Sequence, residues 1–206
     1  MILTCEHGGN RIPKEFRPVF RSAKRALDSH RGLDIGALAL AKLVSRQLGI
    51  PLFHSEISRL LIDLNRTLGH ENSFSSYSQK LTPEQRDRII ARYYLPHRKE
   101  VDRAIRARKR FCFHVSMHSF TPVLNGVKRK CEIGILFDPR RAPELRFAEK
   151  LRAHLAVLAP HLRVRFNYPY RGTSDGFPTT LRKSHPASRY AGIEIAFQVP
   201  SASASR

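Results

Sequence analysis

Short apolar runs alternate with longer amphipathic ones along this chain of 206 residues. Residues 1–5 form an apolar stub that predicts a strand, and the stub runs into Glu6, His7, Gly8 and Gly9. Two glycines there permit a sharp turn and close approach of a ligand to the backbone. In "DIGALALAKLVSRQLG" the apolar positions Ile35, Leu38, Leu43, Val44 and Leu48 predict a helix, with Gly49 as its stop signal. "IPLFHS" predicts an extended segment, and so does "RLLIDL". Thr82-Pro83 predicts a helix start, Pro96 a break or kink, and a second helical stretch reaches about Arg108.

Beyond that point "FCFHVSMHSF" and "CEIGILFD" predict strands, "APELRFAEKLRAHLAVL" an amphipathic helix, and "LRVRFNYPY" a half-buried strand. A loop rich in Gly, Ser, Thr and Pro leads to a last strand in "AGIEIAFQV", and residues 200–206 read as a flexible tail. Strands alternating with helices imply a βαβ-based sheet in one α/β domain over residues 1–199. Functional sites of such sheets form beyond the carboxyl ends of the strands.

Composition narrows the function classes. No apolar run approaches the roughly 20 residues of a membrane span, and no secretory leader is evident. Three cysteines without CxxC spacing indicate neither a disulfide framework nor a cysteine zinc knot, so a cytoplasmic location is expected. The 37 Lys and Arg outnumber the 17 Asp and Glu, a net charge of +20 that is densest over residues 80–110. This field attracts anions, nucleic acid included, as non-specific charge only; zinc-finger, RNA-binding and P-loop signatures are absent.

His7 follows the first strand, Asp34 precedes a helix at its expected N-cap, and His118 ends "FHVSMH". Two imidazoles and a carboxylate are the donor set of many catalytic zinc sites. Each also has an ordinary reading, as a helix cap or a strand-end histidine, and spacing alone does not join them.

Six segments in order, "CEHGGNRIP", "LDIGA", "SRLLIDLNR", "VSMHSFTP", "NYPY" and "GIEI", resemble the N-formylglutamate amidohydrolase family over residues 3–194. The His-Gly-Gly turn and the Ser-x-His segment are also similar, more distantly, to zinc-dependent N-acetylmuramoyl-L-alanine amidases. The resemblance implies a phosphorylase/hydrolase-like three-layer α/β sandwich with a mixed central sheet flanked by helices. It also implies one divalent metal, zinc foremost, and hydrolysis of the C–N bond of a small acidic N-acyl amino acid. His7, Asp34 and His118 are the ligands it implies, with Glu6 as the competing carboxylate.

Glu194 in "GIEI" is the implied acid/base, taking a proton from the attacking water and delivering it to the leaving amine. Its other reading is an outward-facing strand residue, since Ile193, Ile195 and Phe197 alternate with it. Arg59 and Arg66 suit a substrate carboxylate or are surface charge. Asn65 suits a substrate amide or a turn, and Asn167 and Tyr168 of "NYPY" are expected to line the pocket. Ser119 and Thr121 stand beside His118, Asp63 pairs internally with an arginine, and Cys5 is a thiol nucleophile to be weighed against the metal. Ala196 stands where many members of the resembled family have arginine soon after Glu-Ile, which leaves the substrate less defined than the reaction class. The contrasting class is a catalytically degenerate hydrolase fold that binds acidic ligands or nucleic acid through its basic surface.

Overall fold

β1 (Ile2–Cys5) opens the chain as predicted, with every side chain buried. The computed structural model describes residues 1–199, and the tail at 200–206 lies outside the described residues. A 3-10 turn and the single helical turn α1 (Lys24–Leu27) precede α2 (Ala37–Leu48). Gly49 ends α2 at a φ of 61°, the left-handed conformation in which helices commonly stop. β2 (Leu52–His54) follows.

α3 (Pro83–Ile89) starts from a capping box: Thr82 Oγ1 accepts from the Gln85 N–H while Gln85 Oε1 accepts from the Thr82 N–H. Pro96 does not break the run. The backbone widens into a π turn over Ile90–Tyr94, and the proline falls in the first turn of α4 (Leu95–Arg106), where its missing N–H is tolerated.

The chain continues through β3 (Cys112–Phe120), the hairpin strands β4 (Val123–Leu124) and β5 (Val127–Lys128), β6 (Ile133–Leu136), α5 (Ala142–Leu158), β7 (Val164–Phe166), α6 (Phe177–Ser184) and β8 (Tyr190–Gln198). α6 arises inside the segment expected to be a loop, and the hairpin lies between two segments predicted as strands. Asn125 and Gly126, both at positive φ, form the hairpin turn.

"RLLIDL" is not a strand. Its apolar side chains Leu60, Leu61, Ile62 and Leu64 are buried in successive turns, packed with Phe16, Phe20 and Ile89. The backbone is satisfied without a ladder: the hydroxyls of Ser75 and Ser78 donate to the Leu60 carbonyl, and the Asp63 N–H donates to the Ser73 carbonyl.

Six strands form one mixed sheet in the order β2-β1-β3-β8-β6-β7. The first four are mutually parallel; β6 runs antiparallel to β8, and β7 parallel to β6. Strand alternation divides the side chains between two layers. Leu3, Cys5, Val115, Met117 and Ile193 pack under Ala37 and Ala41 of α2 and Ala148 of α5. Ile2, Cys112 and Tyr190 pack on the opposite face against Val101 and Ile105 of α4 and Phe177 and Leu181 of α6. The result is an α/β sandwich with helices on both faces. Among the described residues no helix is long and apolar enough to cross a membrane.

Candidate metal and hydrolytic site

On the α4/α6 face the alternation of the central strands continues from the apolar Ile2, Cys112 and Tyr190 into a buried polar row. β1 contributes Thr4 and then Glu6 just beyond its end, and β3 contributes His114, Ser116 and His118. The parallel register sets Thr4 beside Ser116 and Ser116 beside Glu194. Glu194 therefore faces this row, because its neighbours Ile193 and Ile195 are committed to the other layer.

His7 sits one residue past this row, in the turn after β1. The two glycines that follow are required by packing: a Cβ on Gly8 would lie 2.8 Å from the Ser55 carbonyl oxygen, and one on Gly9 would lie 2.8 Å from Glu56 Cα. The close approach they permit is to the loop after β2, not to a ligand. The Asp34 N–H donates to the His7 carbonyl at 2.9 Å, which brings the entry to α2 against the same turn.

Asp34 does not cap that helix; Gly36 holds the N-cap position. Its carboxylate turns inward instead. Oδ2 lies 2.8 Å from His118 Nδ1 and 3.5 Å from His7 Nδ1, and Oδ1 accepts from Arg59 Nη1 at 3.0 Å. His7, Asp34 and His118 are all buried, and one potential ligand atom from each lies within 4.8 Å of the others. His7 Nδ1 is a buried nitrogen without a hydrogen-bond partner among the described residues. Such a group is costly unless something coordinates it.

The outer ring nitrogens are held from behind. Asp63 Oδ1 lies 2.7 Å from His7 Nε2, and Asp63 Oδ2 accepts from Arg59 Nη2 at 3.1 Å. Arg59 thus bridges Asp63 and Asp34, so its guanidinium is already engaged by two carboxylates. Asp63 pairs with an arginine as expected, and with His7 as well. Behind His118 stand Ser116 and Glu6.

These contacts shift the protonation of the group. Burial works against the charged Asp34 and Asp63, but His7 and Arg59 hold both carboxyls well below the ordinary range. Burial likewise opposes a charged His118, yet Asp34 raises it to about 9. Glu6 is held at about 2 against burial by His118, His97 and the Ser116 hydroxyl. Cys5 lies in the apolar α2/α5 layer, where burial pushes its thiol up, so it is placed and poised unlike a nucleophile.

A cavity of about 610 Å³ opens over the three inner atoms. Its wall includes His7, Asp34, His118, Glu194, Arg59, Asn65 and Arg66, seven of the nine site residues expected from sequence. Asn65 is fixed by its Oδ1, which accepts from the Phe177 N–H at 2.6 Å, so that Nδ2 stands 3.5 Å from Glu194 Oε1. Arg66 donates to the Asp175 carbonyl. Ser119 and Thr121 also reach the wall.

Asn167 and Tyr168 are not brought to it. Asn167 Oδ1 accepts from the N–H groups of Phe137 and Gly172, and the Tyr168 hydroxyl accepts from the Lys130 N–H, so both shape the loop. Their neighbours Tyr170 and Arg171 line the cavity in their place, joined by Arg31 and Asp175. Those four were not singled out from sequence. For Tyr170 the signal was the same "NYPY" segment; for Ser116 it was the period-two row His114, Ser116, His118.

No protein of curated function matches the chain. The crystal structure of gene product Atu2144 from Agrobacterium tumefaciens is similar at 30% identity and a TM-score of 0.79, covering 96% of this chain and 79% of that one. The family model described as N-formylglutamate amidohydrolase matches residues 1–199. A match of that extent, over a fold that gathers the six resembling segments around one cavity, means that the chain belongs to the N-formylglutamate amidohydrolase family.

Proposed function

We propose that the protein is a metal-dependent amidohydrolase that cleaves the C–N amide bond of a small acidic N-acyl amino acid of the N-formylglutamate type. The observation that carries the metal is the buried, unpartnered Nδ1 of His7 beside Asp34 Oδ2 and His118 Nδ1. Two nitrogens and one carboxylate oxygen suit zinc and leave coordination positions open. A divalent ion there supplies Lewis-acid polarisation of the amide carbonyl and of water.

The chain's own groups do the remainder. Glu194, on the cavity wall and with no Lys or Arg hydrogen-bonded to it among the described residues, accepts the proton of the attacking water as the new C–O bond forms. It returns that proton to the amide nitrogen as the C–N bond breaks. Asn65 Nδ2 orients the Glu194 carboxylate. Arg66 anchors a substrate carboxylate, because Arg59 is occupied by Asp34 and Asp63.

The test is zinc content together with hydrolysis of N-formylglutamate and of a neutral N-formyl amino acid, before and after chelation. Chelation is expected to abolish turnover and zinc to restore it, and His7→Ala and His118→Ala to lose both metal and turnover. Arg66→Ala is expected to weaken the acidic substrate selectively, by roughly 10- to 100-fold. Full turnover in the chelated protein would overturn the reading.

A further inference from the structure

Behind His118 lies a buried carboxylate that this chemistry does not use. Glu6 is fully enclosed. Its Oε2 accepts from the Ser116 hydroxyl at 2.6 Å and stands 3.4 Å from His118 Nε2, while Oε1 has no partner among the described residues. Ser116 Oγ is itself 2.9 Å from the same ring nitrogen. Asn65 Nδ2 also approaches Nε2, but at 3.4 Å it does not compete with the serine.

Counting donors and acceptors fixes the direction of this chain. An ionised carboxylate only accepts, so Ser116 must give its single proton to Glu6. The serine oxygen is left as an acceptor, and the donor it faces is the Nε2–H of His118. With a proton held on Nε2, the lone pair of the neutral ring belongs to Nδ1, on the side of Asp34. The other imidazole obeys the same rule by a shorter route, since Asp63 accepts directly from His7 Nε2. Two rings are thus set to one tautomer, one through a carboxylate and one through a serine relay.

We infer that Glu6 is a positioning residue: acting through Ser116, it holds the Nε2 proton of His118 so that Nδ1 is presented with His7 and Asp34 to a divalent metal. The inference rests on the metal reading given above. It places Glu6 outside the ligand set, on the far edge of the His118 ring from Asp34. In Glu6→Gln the acceptor-only group is replaced by one that also donates, so the direction of the chain is no longer enforced. In Ser116→Ala the relay is cut. Partners of this kind are worth about 10- to 100-fold in metal affinity.

The experiment compares the wild-type protein with Glu6→Gln, Ser116→Ala and Ser116→Thr. Zinc affinity is measured by competition with a chromophoric chelator, metal-free stability by thermal melting, and the His118 tautomer by nitrogen-15 NMR of the zinc-loaded protein. Zinc affinity is expected to fall about 10- to 100-fold in Glu6→Gln and Ser116→Ala with melting little changed. Ser116→Thr, which keeps the hydroxyl, should retain most of it, and the wild-type spectrum should show the proton on Nε2. Wild-type affinity in both weakened variants would overturn the inference, as would a proton on Nδ1. Affinity losses matched by equal losses of metal-free stability would reduce Glu6 to a packing role and overturn it too. A wild-type protein that binds no zinc would overturn the metal reading itself, whereas equal binding by all four proteins would remove only the role of Glu6.

Discussion

Glu194 is a carboxylate on a central strand, opposite Ser116 and at the wall of the cavity. Glu194→Gln keeps the shape and removes the proton acceptor. Turnover is expected to fall at least about 100-fold with zinc content unchanged, read by steady-state kinetics and metal analysis. Near-normal turnover would return the residue to a strand position that happens to line a cavity. The alternation in "GIEIAF" left both faces open at the level of sequence. What decides between them is which neighbours enter the α2/α5 layer, and that depends on helices far along the chain. Arg59 shows the opposite case. A guanidinium near a site reads as a substrate clamp, but the two carboxylates that occupy it, Asp34 and Asp63, come together only on folding.

The loop over residues 63–66 carries Asn65 and Arg66 to the cavity and sets Asp63 behind His7, without belonging to any helix or strand. It is held by Arg98 of α4, a buried arginine that donates to the Leu64 carbonyl at 3.1 Å and to the Arg66 carbonyl at 2.7 Å. Tyr94 adds a bond to the same Arg66 carbonyl, and the Arg98 guanidinium lies over the Phe177 ring. Arg98→Met keeps the bulk but leaves carbonyls unpaired. It is expected to cost about 2–4 kcal/mol in chemical denaturation and to lower turnover, since charged hydrogen bonds contribute about 1.5–3 kcal/mol each. Regular elements such as β1, α2, α5 and β8 were legible because periodicity and caps are local signals. The segment that leads into it, "RLLIDL", reads as extended because four apolar residues in six fit a buried strand equally well. The serines and the arginine that satisfy its backbone are distant in sequence. The candidate site was legible at His7, Asp34, His118, Asn65 and Glu194, where motifs resemble a family; the motif "NYPY" misdirected Asn167 and Tyr168, and the place of Ser116 behind His118 depends on contacts that no motif carries.

At the scale of the whole molecule the excess of 20 positive charges has little internal outlet. The acidic groups are largely consumed locally: Glu144 by Arg141 and Arg182, Glu132 by Arg163, Asp138 by Arg140, Asp102 by Arg106 and His185. The remaining field is expected to attract polyanions without sequence preference. For about six phosphates contacted by a single strand, affinity should fall roughly 300-fold between about 50 and about 200 mM salt, measured by fluorescence anisotropy on two unrelated oligonucleotides. A marked preference between them, or binding that ignores salt, would contradict a purely electrostatic origin.

The paired strands β3 and β8 have a consequence for how such a protein can change. Both are flanked by neighbouring strands on either side, so His118 and Glu194 share the rigidity of the sheet and cannot be moved separately. Leu124, Tyr170 and Arg171, which complete the cavity, belong to the β4–β5 hairpin and to a loop outside that sheet. On the proposed function, the hydrolytic groups and the walls that would set selectivity therefore occupy separable parts of the chain. A library that varies the hairpin and the 169–175 loop can search for new acyl or amino-acid preferences while the hydrolytic groups stay in register, and a descendant lineage could drift in substrate by the same route.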